Sequence, residues 1–275
     1  MAMEARMRKQ VWISTLVIAL VMPLLLARPA RAQMERLSDQ QIKRLLDQIR
    51  SGTDRFVDAM DDRTRRSVLR GPQGDVDINR FLNDFKDQID KARDRFKPEY
   101  SAGAEVLALL RQASDIDRAM RAQMDRPPKS ASEWEALAAN LRTLAENYGL
   151  PWPVDASASG GSRVNDRALI QSARELERRA KSLASAIKKD KAIDKAARES
   201  TAREIEPFAR AAKTVAERLD DKRPATAEAR DLLNRASAIA DFCRREPLGR
   251  ESSRAWSLVQ RNVDTIARAF GVPRA

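Results

Sequence analysis

The sequence predicts an all-α fold built as two tandem four-helix units, the product of an internal duplication. Three observations predict it. Apolar residues recur at the i, i+3, i+4 and i+7 positions of one helix face along most of the chain. Aromatic residues make up only 5% of the 275, and Ala, Arg, Leu and Asp outweigh the β-branched types that strands favour. The third observation is a repeat. Residues 102–116 (AGAEVLALLRQASDI) and 225–239 (ATAEARDLLNRASAI) share eight of fifteen positions. Residues 134–151 (WEALAANLRTLAENYGLP) and 256–273 (WSLVQRNVDTIARAFGVP) share six, and Leu137/Val259, Leu141/Val263, Leu144/Ile266, Tyr148/Phe270 and Leu150/Val272 are conservative. Two matches in the same order mark a duplication rather than shared Ala-rich composition. Packing of both units into one elongated bundle is the alternative arrangement.

Residues 1–32 read as a signal peptide. Arg6, Arg8 and Lys9 form a basic start, Val11 to Ala27 an apolar run of 17 residues, and Ala30-Arg31-Ala32 a small-residue cleavage pattern. The run is short for a membrane span of about 20 residues and is interrupted by Ser14, Thr15 and Pro23. Cleavage is expected between Ala32 and Gln33, giving an exported protein, periplasmic or secreted, whose mature chain does not span a membrane. The segment's five basic residues and one acidic residue account for +4 of the net +12, leaving +8.

The first unit, residues 33–151, opens with a capping box, Ser38 and Gln41, ahead of a stripe of Ile42, Leu46, Ile49, Phe56 and Met60. Gly71-Pro72-Gln73-Gly74 breaks the chain. A second helix from about Val76 carries Ile78, Phe81, Leu82, Phe85, Ile89 and Phe96, and Pro98 ends it. The third opens near Ser101, carries Val106, Leu109, Leu110, Ala113, Ile116 and Met120, and stops at Pro127-Pro128. Ser132 and Glu135 suggest a second capping box before a helix with Trp134, Leu137, Leu141, Leu144 and Tyr148, closed by Gly149 and Pro151. Residues 152–164 form a Gly/Ser-rich linker, read as flexible. The second unit, residues 165–275, repeats the plan with fewer large apolar residues in its first two helices. Alanine there means closer packing or lower stability. Pro207, within the Ile205–Leu219 stripe, predicts a kink or a late start.

The chemistry the chain lacks is as informative. There is no His, so no Ser-His-Asp or Cys-His triad and no His-ligated metal or haem. The one cysteine, Cys243, excludes an internal disulfide; it aligns with Met120 and reads as an inert core thiol. Trp134 and Trp256 fall on apolar stripes and read as core rather than as stacking platforms. Glu105 and Glu228, shared by the repeats, fit the first turn of a helix, where the dipole favours a carboxylate, better than paired acid–base work. Ser114/Ser237 and Asn140/Asn262 are also shared, and an inter-helix hydrogen bond would explain them. The most basic stretch, Arg174 to Lys195, carries no interleaved aromatics, so a nucleic-acid partner is not expected. No catalytic, cofactor-binding or metal-binding residue is assigned, and no cofactor.

Asp77-Ile-Asn-Arg-Phe-x-x-Asp-Phe85, Ala113-Ser-Asp-Ile-Asp-Arg118 and the Trp-led helix ending Asn147-Tyr-Gly-Leu-Pro-Trp152 resemble secreted bacterial helical-repeat proteins to which no activity is assigned. The resemblance covers the first repeat better than the second and rests on core and capping positions. It implies export and fold and carries over no functional residue. The expected function is that of an exported, non-catalytic helical interaction or structural protein of the cell envelope. Its partner would be a protein or an anionic envelope component. A periplasmic holdase-like chaperone for unfolded or acidic clients is the alternative, ahead of an enzyme using only Asp, Glu, Arg or Ser.

Overall fold

The computed structural model describes residues 36–61, 68–71, 74–121, 130–158, 161 and 163–272. Residues 1–32, read as a signal peptide, the Pro127-Pro128 stop, and Ser159, Gly160 and Ser162 of the expected linker lie outside the described residues. The fold is all-α. Among the described residues there are eight helices: α1 (Asp39–Asp58), α2 (Ile78–Arg95), α3 (Gly103–Arg121), α4 (Ala131–Asn147), α5 (Asp166–Lys189), α6 (Lys195–Asp220), α7 (Thr226–Arg245) and α8 (Arg250–Ala269). None is long and apolar enough to cross a membrane.

Both units obey one plan. The helix α1 packs on α2 and α4, α2 on α3, and α3 on α4; α5 packs on α6 and α8, α6 on α7, and α7 on α8. Each ring of four encloses its own hydrophobic core. Phe56, Phe85, Leu109 and Trp134 are among the side chains buried in the first, and Leu176, Phe208, Leu232 and Val259 in the second. The two cores are separate clusters rather than one continuous bundle interior.

Local signals explain most element ends. The Ser38 hydroxyl accepts from Gln41 N–H (3.2 Å) and Gln41 Oε1 from Ser38 N–H (2.7 Å), the reciprocal capping box that the sequence announces. Gly149 (φ +68°) and Gly271 (φ +62°) follow α4 and α8 in the left-handed conformation. There the Leu150 N–H reaches Ala145 O (2.9 Å) and the Val272 N–H reaches Ala267 O (3.0 Å), satisfying carbonyls that a helix end would otherwise leave bare. The two repeats thus close their last helix with the same device.

Three expectations are corrected. The chain break before α2 is a hairpin, β1 (Val68–Gly71) antiparallel to β2 (Gly74–Asp77), and Val76 belongs to β2, not to a helix. Asp77 caps α2, accepting from Asn79 and Arg80 N–H. Strands of four residues are too short to show an alternation in the sequence. Next, α4 starts at Ala131 with Ser130 at its N-cap, so Ser132 lies inside the first turn and forms no capping box. Finally, α6 does not start late at Pro207: it begins at Lys195, where the Asp194 carboxylate caps it, and runs 26 residues with Pro207 inside. Burial of Thr201, Ala202, Ile205 and Phe208 on both sides of the proline offsets the missing backbone donor.

Alanine-for-bulk resolves as closer packing. The pair α5–α6 makes the most extensive helix–helix contact in the molecule. Its buried positions include Ala173, Ala180, Ala202, Ala209, Ala212 and Ala216. Small side chains let two backbones approach, and the area recovered replaces what a leucine would have supplied.

Candidate functional site

Two features stand out once the fold is in place: a polar seam joining the units and a groove in the second. The seam is built from the residues that precede α1 and α5, Arg36-Leu-Ser-Asp39 and Arg163-Val-Asn-Asp166. Asp39 and Asp166 are the first residues of their helices, and Ser38 and Asn165 are the N-caps. Arg36 pairs with Asp166 (2.6 Å) and donates to Val164 O (2.7 Å); Arg163 pairs with Asp39 (2.7 Å) and donates to Leu37 O (2.8 Å). The Asp39 N–H donates to the Asp166 carboxylate (2.8 Å), and the Asp166 N–H to the Asp39 carboxylate (2.9 Å). Each of these hydrogen bonds made by one repeat is returned by the other.

The seam is nearly dry. The Arg36 and Arg163 side chains are 5% and 1% exposed, the two aspartates 16–18%. Burial, and then the charge of Arg163, bring the Arg36 pKa down to about 10. The Arg36 guanidinium also lies 5.7 Å from the Phe270 ring centroid, a cation–π contact reaching from the first unit to the last helix's cap. Each carboxylate accepts from a helix's first N–H as well as from an arginine, so charge is compensated by dipole and counter-ion together.

The groove lies between α7 and α8. It has a volume of about 350 Å³ and an apolar floor of Leu233, Ala236 and Trp256, with Ser237, Arg261 and Asp264 among its polar residues. The matching face of the first unit is covered by the chain itself. After α4, Leu150 and Val154 are buried in the first core, with Trp152 and Ala158 packed against it. The Val154 N–H donates to Ser114 Oγ (2.8 Å), while that hydroxyl donates to Leu110 O (2.8 Å). Arg111 donates to Ala158 O. Gly161 then passes so close that a Cβ there would sit 2.8 Å from Leu150. Residues 152–158, read as flexible linker, are therefore a packed strap. The segment's Gly/Ser content hid Leu150, Trp152 and Val154 as core residues.

No known protein family, curated protein or solved structure matches this chain.

The other residues singled out in the sequence fall as follows. Trp134 is buried against Phe56, ring centroids 5.2 Å apart, and its indole N–H donates to the buried Asp117 carboxylate (3.1 Å). Trp256 is buried too but borders the groove, two turns into α8 rather than at its start. Cys243 packs against the second core, and burial pushes its thiol up to about 12, the setting of an unreactive sulfur. Glu105 and Glu228 sit in the first turns of α3 and α7. Glu105 accepts from Tyr100, and Glu228 pairs with Arg218 at 2.8 Å. They belong to separate bundles and form no pair.

Ser114 does make a long-range bond, to the strap rather than to a helix; among the described residues Ser237 bonds only within α7, to Leu233 O. No inter-helix hydrogen bond involves Asn140 or Asn262 among the described residues, which corrects that expectation. In the basic stretch, Arg178 and Arg179 share Glu175, Lys181 pairs with Glu177, and Arg174 with Asp220. Lys188, Lys189, Lys191 and Lys195 remain exposed around the α5–α6 turn. Sequence reasoning missed the seam. The signal was present as Arg-apolar-cap-Asp before the first helix of each repeat, but the recognised matches begin at the third.

Proposed function

We propose that this chain is an exported, non-catalytic interaction protein of the cell envelope. Two helical bundles act as a scaffold that presents a docking surface to a partner protein. The observation that supports the reading best is the groove between α7 and α8, apolar at its floor and polar at its edge, uncovered among the described residues. Many charged groups elsewhere among the described residues are engaged in caps, helix-face ion pairs and the seam. No cluster of three or more metal-ligating side chains occurs among the described residues.

Export rests on the basic, apolar and small-residue sequence of the first 32 residues. The envelope partner is proposed as a protein; an anionic polymer would be met instead by the lysines around the α5–α6 turn. The groove belongs to one unit, not to a concavity lined by both. That favours a defined partner over the broad surface a holdase needs.

The test is site-specific photocrosslinking in cells. A photoreactive residue at Gln260, on the groove, should give a discrete crosslinked species in the envelope fraction, and one at Lys213, on the exposed face of α6, should not. If neither position yields a species, or both yield the same smear, the interaction reading is overturned. N-terminal sequencing of the exported form should begin near Gln33.

A further inference from the structure

The repeat supplies its own evidence for what the groove holds. In the alignment of the two units Leu110 matches Leu233, Ser114 matches Ser237, Trp134 matches Trp256 and Leu150 matches Val272. The second member of each pair lines the groove. In the first unit that surface is occupied by Leu150–Ala158, Leu-Pro-Trp-Pro-Val-Asp-Ala-Ser-Ala, a non-helical segment with two prolines that ends in a turn closed by the Ala158 N–H on Asp155 O (3.0 Å).

We propose that the α7–α8 groove binds a non-helical, proline-containing apolar segment of a partner protein, in the manner of Leu150–Ala158 on the first unit. The proposal rests on the interaction reading above and names the chemistry of its partner. Two polar groups on the groove carry it beyond shape. Ser114 uses its hydroxyl hydrogen on Leu110 O and its oxygen to accept the Val154 N–H. Ser237 repeats the first half, donating to Leu233 O at 3.2 Å, and among the described residues no N–H reaches its oxygen. It is an acceptor set at the place where a bound backbone would offer its donor.

The second group is the Trp256 indole. Its counterpart Trp134 donates to Asp117, but Ala240 stands at the position of Asp117. The Trp256 N–H therefore has no acceptor among the described residues, and a backbone carbonyl of a bound segment would supply one. Ala240 in place of an aspartate also widens the groove. At about 350 Å³ it lies at the small end of the roughly 300–1,000 Å³ range of ligand pockets, which suits a short peptide better than a large cofactor. An aromatic wall, small neighbouring residues and a backbone-directed hydroxyl suit a non-helical proline-containing chain, whose preset φ at each proline reduces the entropy lost on binding.

The probe is a fluorescein-labelled nonapeptide with the sequence of Leu150–Ala158, titrated against the full-length mature protein by anisotropy. Saturable binding is expected. Ala240→Trp, which puts an indole into the groove, should weaken it by about tenfold or more, and Ser237→Ala by a few-fold. Far-ultraviolet circular dichroism and the unfolding midpoint check that both variants stay folded. No saturation, or equal binding by wild type and Ala240→Trp, would overturn the proposal. A dimer that Ala240→Trp dissolves would place a second copy in the groove and overturn the assignment to a partner. A Gln260 crosslink without peptide binding would leave the interaction reading standing and reject only this peptide class.

Discussion

Trp134 and Trp256 occupy matching positions yet do unequal work. Trp134 is 2% exposed, touches Phe56 and satisfies its N–H on Asp117; Trp256 is 9% exposed and shares its surface with the groove. Truncating a fully buried tryptophan costs about 3–5 kcal/mol through lost contacts and the cavity left behind. We therefore expect Trp134→Ala to fall in that range and Trp256→Ala to cost clearly less. Thr143→Ala, on the half-exposed side of α4, should stay within about 0.5 kcal/mol. Urea unfolding of the three variants decides this, and equal losses for the two tryptophans would contradict the asymmetry. At Cys243 the prediction is chemical. A thiol whose pKa burial raises to about 12 carries almost no thiolate at pH 8, so iodoacetamide should modify it slowly in the native protein and rapidly after denaturation. Native-state alkylation at the rate of a small-molecule thiol would show that the sulfur is exposed and activated.

At the scale of elements, helix ends offer the sharpest tests. An added Cβ at Gly149 or Gly271 would meet nothing within 4 Å, so the cost of substitution is that of the backbone alone. Gly149→Ala and Gly271→Ala should each destabilise by about 1–2 kcal/mol. Lys222 holds the same left-handed place after α6 (φ +58°), with Arg223 N–H bonded to Arg218 O at 2.8 Å. Lys222→Gly should therefore stabilise the protein, by up to about 1 kcal/mol once the unfolded-state freedom of glycine is subtracted. Thermal denaturation of the three variants checks both signs. These are also the features that sequence reading found most readily, because a cap is written in adjacent residues: Ser38 with Gln41, or Gly149 before Leu150 and Pro151. What escaped it was decided at a distance. Pro207 passes through α6 because of what its neighbours bury, and Ser132 loses the cap to Ser130. Val154 joins the core where its backbone N–H meets Ser114, forty positions earlier. The groove was legible as two aligned helices but not as a surface left uncovered among the described residues, since that requires knowing what covers the first copy.

Across the whole molecule, the seam couples the two cores. Removing one partner from a buried ion pair costs about 3–5 kcal/mol, because the other charge is left without compensation. The aspartates here keep some water, so we expect Arg36→Ala and Arg163→Ala each to cost about 2–3 kcal/mol. Calorimetry of the wild type should show one cooperative transition spanning both bundles. The double variant Arg36→Ala/Arg163→Ala should split it into two, since the hydrophobic clusters share no buried residue. A single transition surviving in the double variant would locate the coupling elsewhere, in the reciprocal Asp39 and Asp166 backbone bonds, the strap or the Arg167–Glu99 pair among the described residues.

The reciprocity of the seam has a consequence for how such a chain can change. Contacts in which residue i of one half meets residue j of the other, and j meets i, are the signature of an isologous homodimer. Here the two subunits are carried on one polypeptide, so they meet at an effective concentration set by a short tether instead of by expression level. A true homodimer must alter both copies whenever it alters one. Fused halves escape that constraint: Asp117 and Ala240 can differ, one copy can be sealed by its own strap and the other left unsealed. The molecule thereby carries two editions of one repeated surface, one covered by its own strap and one uncovered among the described residues.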